Sequence, residues 1–139
     1  MICSEIMTKD PECCVPSDSV MKAAQLMKSE DVGPIPIVED KEEMKLTGIL
    51  TDRDLAIKVV AEARDPKTTQ VEEVMSEGLV TCRENDDVQS VLKLMEDNQI
   101  RRIPVVDQSN HLLGIIAQAD VATHLGSRAT GRVVEQVSQ

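Results

Sequence analysis

Thr51 and Asp54 stand in the run Gly48-Ile49-Leu50-Thr51-Asp52-Arg53-Asp54 and form an S/T-x-x-D box. At the start of a helix such a box has two uses. Its hydroxyl and carboxylate can satisfy the first orphan amides, which is plain capping. Alternatively, spare amides at a helix N-terminus attract phosphate, while an acceptor-only carboxylate at the rim suits the paired hydroxyls of a ribose. The carboxylate recurs at Asp120, in Gly114-Ile115-Ile116-Ala117-Gln118-Ala119-Asp120, but the hydroxyl does not. If capping were the shared purpose, losing the cap while keeping the acid would be the less expected divergence.

Other side chains with reactive potential are sparse. Cys3, Cys13, Cys14 and Cys82 show no C-x-x-C spacing, and neighbouring Cys13 and Cys14 on an extended segment point to opposite faces, which suits neither a zinc knuckle nor a redox dithiol. They read as buried thiols of a reducing compartment. His111 and His124 lack a second ligand at metal spacing and read as surface residues. No nucleophile-base arrangement can be argued, so neither catalytic nor metal-binding residues are expected.

Composition narrows the partners. The 139 residues include no Phe, Trp or Tyr, which removes base-stacking platforms, quaternary-ammonium cages and aromatic peptide grooves, and leaves a core of Val, Ile, Leu, Ala and Met. A formal charge of −10 repels nucleic acid and anionic lipid, so any bound phosphate needs a local basic cluster. No stretch reaches the ~20 apolar residues of a membrane span, and the first ten residues lack the pattern of a signal peptide. The expectation is a cytoplasmic protein that binds neither nucleic acid nor membrane.

The elements that must position Thr51, Asp54 and Asp120 are written twice. Residues 6–42 align with 74–110, and 45–56 with 111–122; fourteen of the 49 pairs are identical, against roughly three by chance, so the chain is a duplication. In each copy a short extended segment, about 11–15 and 79–83, precedes a helix. The first helix carries a stripe at Val20, Ala23, Ala24 and Met27 behind Ser17 or Asp18; the second repeats it at Val88, Val91, Leu92 and Met95, behind a capping box of Asp86 and Gln89. The runs Ile35–Val38 and Ile103–Val106 follow, each with an internal proline that favours an edge strand or a strand start. Leu46–Thr51 and Leu112–Ala117 read as strands whose interior glycine marks close approach of backbone or ligand. A second helix, about 52–63 and 118–125, completes β-α-β-β-α. One copy is too small to bury its sheet alone, and two copies packed sheet to sheet solve that problem. The expected organisation is repeat one at 2–61, a charged connector at 62–73, repeat two at 74–125 and a tail at 126–139, where Val133, Val134 and Val137 are spaced for a short amphipathic helix.

These features together resemble the CBS (cystathionine β-synthase) domain family in its tandem arrangement, the Bateman module. The resemblance is carried by Met7-Thr8 and Met75-Ser76, by Leu26-Met27 and Leu94-Met95, by Ile35-Pro36-Ile37-Val38-Glu39 and Ile103-Pro104-Val105-Val106-Asp107, and by the doubled G-h-h-[TS]-x-x-D motif, covering about residues 2–125. It implies an α/β (α+β) fold with pseudo-two-fold symmetry. It also implies two clefts shared between the repeats for adenosine-containing ligands: AMP, ADP or ATP, with S-adenosylmethionine or NAD as further options. In that family the motif Asp bonds ribose, the hydroxyl supports ribose or phosphate, and adenine sits among aliphatic side chains and backbone. No cofactor is required; the nucleotide is a regulatory ligand.

Carried over, the first cleft uses Thr51 and Asp54 with Val80, Thr81, Ile100, Arg101, Arg102 and Ile103. The second uses Asp120 with Cys13, Cys14, Val32, Gly33, Pro34 and Ile35. Arg101 and Arg102 are the phosphate candidates, because guanidinium forks match phosphate oxygens, and Arg53 is a lesser one. The second motif departs from the family at Ala117, and Cys13 stands where the other copy has Thr81. One competent site and one weak site are therefore expected. The module is expected to be non-enzymatic, to form a homodimer through its helices and to act on a separate effector protein; the alternative is a structural interaction module with vestigial sites.

Overall fold

A computed structural model describes residues 1–126, so the expected helix at Val133, Val134 and Val137 lies outside the described residues. The chain divides into two compact units, one formed by Met1–Asp10, Val80–Ser109 and the chain from Leu113, the other by Pro11–Leu79 and Asn110–Leu112. Each unit takes its lead-in segment from the other copy of the repeat.

In the unit built on the first copy, helix α1 (Val20–Glu30) buries Val20, Ala23 and Met27 of the predicted stripe and leaves Ala24 half-buried. Its cap is Ser19, one residue beyond the expected pair: the Ser19 hydroxyl accepts from the Lys22 amide at 3.2 Å. Asp18 instead closes the preceding turn, accepting from the Val15 amide at 2.9 Å. The choice follows from the residues expected as connector. Carbonyls of Thr69 and Pro66 accept the Val20 and Met21 amides at 2.9 and 3.0 Å, which leaves the Lys22 amide for the side chain of Ser19. Strands β2 (Ile35–Val38) and β3 (Leu46–Leu50) then pair antiparallel.

The unit built on the second copy repeats this plan. Helix α3 (Val88–Asn98) buries Val88, Val91, Leu92 and Met95 and is capped by Asp87, whose carboxylate accepts from the Gln89 amide. Asp86, the expected cap, accepts from the Arg83 amide at 2.8 Å and so plays the part of Asp18. Four strands line up in the order β1 (Thr8–Lys9), β6 (Leu112–Ala117), β5 (Arg102–Val106) and β4 (Cys82–Arg83).

The register of the two units is the same. Thr8 pairs with Ile115 as Ser76 pairs with Ile49, and Cys82 pairs with Val105 as Cys14 pairs with Ile37. The prolines are therefore inside the sheet plan and not on an edge strand. Pairing to the parallel neighbour starts beyond the missing donor: the Cys14 amide donates to the Pro36 carbonyl at 3.1 Å and the Val38 amide to the Cys14 carbonyl at 2.9 Å. The interior glycines admit backbone. A Cβ on Gly48 would lie 2.7 Å from the Met75 sulfur and 2.9 Å from the Ser76 carbonyl oxygen; one on Gly114 would lie 2.6 Å from the Thr8 oxygen.

Both amphipathic helices end on a non-glycine residue in the left-handed region, Asp31 at φ 54° and Gln99 at φ 55°. The next amide closes the turn six-to-one, Val32 to Met27 and Ile100 to Met95, each at 3.0 Å. These tight exits deliver the chain to the strands that carry the candidate residues.

Candidate functional site

Strand β3 ends at Leu50 and the chain turns at Thr51 into helix α2 (Asp52–Asp54). The expected long helix changes character at once: Leu55–Val60 is a π-helical stretch, with the Ala61 amide reaching the Ala56 carbonyl at 2.9 Å. Such wide turns recur at functional positions in helices. The Thr51–Asp54 box is reciprocal, the Thr51 hydroxyl accepting from the Asp54 amide at 3.1 Å and the Asp54 carboxylate from the Thr51 amide at 2.9 Å. Capping is thus real here, and it also fixes the carboxylate.

A residue that the sequence reading missed completes the arrangement. The Lys58 ammonium lies 3.2 Å from the other Asp54 oxygen and donates to the Val74 carbonyl at 3.0 Å. The signal for it was present in the i,i+4 spacing of Asp54 and Lys58. The Asp54 side chain keeps 13% of its exposure, so the carboxylate is anchored from two sides and still reachable.

The structure brings Gly33 to this motif within the same unit: the Asp52 amide donates to the Gly33 carbonyl at 3.2 Å. Val32, Gly33 and Pro34 are half-buried in this approach, and Ile35 enters the core. Arg53 is exposed. Cys13 and Cys14 are both buried, as expected of buried thiols: Cys14 pairs into the sheet and the Cys13 sulfur lies 4.0 Å from that of Met44. Burial, followed by the nearby Asp18 carboxylate, pushes the Cys14 thiol up to about 11.

In the other unit the corresponding contact is made by an arginine. The Gln118 amide, at the start of helix α4 (Gln118–Gly126), donates to the Arg101 carbonyl at 2.8 Å. Arg101 and Arg102 are exposed, Ile100 is half-buried and Ile103 is fully buried. Val80 and Thr81 are half-buried ahead of β4, and Asp120 is half-buried in the first turn of α4. The groupings expected from the resemblance draw on both units. Inside each unit the observed contact to the copy's own pre-strand loop is made by the first residue of the helix, Asp52 to Gly33 and Gln118 to Arg101. Among the described residues no group of three or more His, Cys, Asp or Glu is placed to hold a metal ion. No helix of the described residues is long and apolar enough to cross a membrane.

Two β-α-β-β-α units in one register, each with a motif carboxylate just after a glycine-bearing strand, define a duplicated α/β module. The CBS domain model matches residues 3–61 and 71–127, and the chain belongs to that family. It is 39% identical over 135 residues to the CBS domain-containing protein YhcV of Bacillus subtilis, covering 96% of this chain and 93% of that protein. Among solved structures it is similar to hypoxic response protein I with two coordinated zinc ions, at TM-score 0.80 and 35% identity over 90% of this chain and 99% of that one. It is also similar to the CBS domain pair of protein MJ0100 in complex with 5′-methylthioadenosine and S-adenosyl-L-methionine, at TM-score 0.79 and 29% identity over 92% and 98% of the two chains.

Proposed function

We propose that the protein is a non-enzymatic regulatory module that binds an adenosine-containing ligand of the AMP, ADP or ATP class. The observation that carries this reading is the state of Asp54, whose carboxylate is held by the Thr51 amide and Lys58 and keeps 13% of its side-chain exposure. A fixed, partly exposed acceptor suits ribose hydroxyls, with Thr51 in support; Asp120 offers the same group in the second copy. Arg101 and Arg102 are the phosphate contacts, and Val, Ile and backbone edges hold adenine in a chain without aromatic residues. The binding of adenosyl compounds by the MJ0100 domain pair supports the ligand class.

Ligand binding regulates only to the extent that it favours one conformation over another. The listener is a separate effector chain, the module works as a homodimer, and four buried free thiols suit a cytoplasmic setting. The two sites are unequal, since Ala117 lacks the hydroxyl of Thr51.

The test is a thermal-shift and calorimetric titration with AMP, ADP, ATP, S-adenosylmethionine and NAD. A ligand at ~100-fold over its Kd stabilises by ~2.7 kcal/mol. Asp54→Ala is expected to remove the stronger event and Asp120→Ala the weaker. A flat response to every adenosyl compound at millimolar concentration sinks the reading in favour of an interaction module with vestigial sites, the alternative that exposed Ile57 and Val60 on the π-helical stretch would serve.

A further inference from the structure

We infer that Lys58 is a positioning residue: by bracing the Asp54 carboxylate against the Val74 carbonyl, it sets the site's preference for a ribose over a deoxyribose. The inference rests on the adenosyl-binding reading above and names the specificity of that site.

An ordinary i,i+4 ion pair on a helix surface holds nothing in place, because both long side chains stay solvated and mobile. Lys58 differs in what stands behind it. Its ammonium donates to the Val74 carbonyl at 3.0 Å while lying 3.2 Å from the Asp54 oxygen. Val74 is itself buried, and its amide donates to the Val71 carbonyl at 3.1 Å. The ammonium is therefore tethered to the core backbone on one side and to the carboxylate on the other. Thr51 tethers the second carboxylate oxygen through its amide at 2.9 Å.

The lone pairs then decide the chemistry. A carboxylate offers about four acceptor directions, two on each oxygen. The Thr51 amide takes one direction on one oxygen, and the Lys58 ammonium pairs electrostatically with the other at 3.2 Å, so both oxygens keep acceptor capacity. Two parallel acceptors on a fixed plane match the two adjacent hydroxyls of a ribose, as a fork matches a fork. A deoxyribose supplies one donor to that pair and leaves the other acceptor without its partner. Releasing Lys58 frees the carboxylate to rotate, and the geometric preference for two donors goes with it.

The experiment titrates AMP, 2′-deoxy-AMP and 3′-deoxy-AMP calorimetrically into the full chain and into Lys58→Met, Lys58→Gln, Lys58→Arg and Asp54→Ala. Wild type is expected to prefer AMP over either deoxy analogue by on the order of tenfold to a hundredfold, the worth of one hydrogen bond to a charged acceptor. Lys58→Met is expected to weaken AMP by about tenfold and to bring the ratio close to one, and Lys58→Arg to restore most of it. Lys58→Gln keeps a donor for Val74 and so keeps the fold; it too is expected to lose the ratio, which separates bracing from folding. A preserved ratio in folded Lys58→Met or Lys58→Gln overturns the inference alone. AMP binding that survives Asp54→Ala unchanged overturns it as well. Wild type that binds no adenosyl compound overturns the proposed function together with it.

Discussion

The Met75 sulfur lies over Gly48 so closely that a methyl group there would meet it at 2.7 Å, and Met7 stands in the same relation to Gly114 at 2.9 Å. The M-[ST] pairs that mark the start of each copy are thus the tops of two glycine-floored contacts. Methionine tolerates the tight seat because its thioether is flexible and polarisable.

Replacing either glycine by alanine is expected to destabilise by about 1–3 kcal/mol through overpacking. Gly114→Ala should cost more, since its nearest obstacle is the Thr8 backbone oxygen at 2.6 Å, whereas Gly48 faces a movable side chain first. Urea unfolding curves check the order, and Met75→Ala placed on top of Gly48→Ala should recover part of the loss. Equal costs for the two glycines would contradict the argument.

Acid stability should depend on Asp18. Burial pulls its carboxyl upward, but the Val15 amide and the Lys22 ammonium outweigh that and hold it below the usual carboxylate range. A lowered folded-state pKa stabilises above the unfolded value of about 4, and the contribution is lost as pH falls through the lower folded value. Asp18→Asn is expected to cost about 1–2 kcal/mol at pH 7 and to converge with wild type as pH falls through the lowered folded-state value. Denaturation midpoints measured across that range decide it; a pH-independent gap would show that only the shape of the side chain matters.

The thiols set the alkaline limb with the opposite sign. Burial raises Cys3, Cys13 and Cys82 as well as Cys14, so the native state keeps them protonated. Their stabilisation is complete below the ordinary thiol value of 9.0 and, for Cys14, is lost as pH climbs to about 11. An aromatic disulfide reagent at pH 8 is expected to label native protein only as fast as it unfolds. Cys14→Ala should lose about 1 kcal/mol at pH 7 and show a shallower decline above pH 9. Rapid labelling without unfolding would place a thiol outside the core.

What could be read from residues alone was whatever local period and internal identity encode. The stripes of α1 and α3, the strands β2, β3, β5 and β6 and the motif acids Asp54 and Asp120 all lie where those signals put them. The caps slipped by one residue because each helix is preceded by several capable side chains, Ser17-Asp18-Ser19 and Asp86-Asp87. The choice is made from a distance, by the Thr69 and Met1 carbonyls that take the Val20 and Val88 amides. Long-range pairing is also why the destination of Met1–Asp10 was not legible: nothing local to Thr8 names Ile115 as its partner. Lys58 was visible as a spacing, but its meaning depends on the Val74 carbonyl, sixteen residues further on.

The offset between copy and unit has a historical consequence. Each sheet receives its first strand from ahead of the other repeat, Thr8 reaching Ile115 and Ser76 reaching Ile49. A single-copy ancestor with the same habit would have had no second lead-in within its own chain and would have completed its sheet only by trading that strand with a twin. Two copies in one chain supply each sheet with that strand covalently, so the boundary between the sequence copies stands one strand away from the boundary between the folded units.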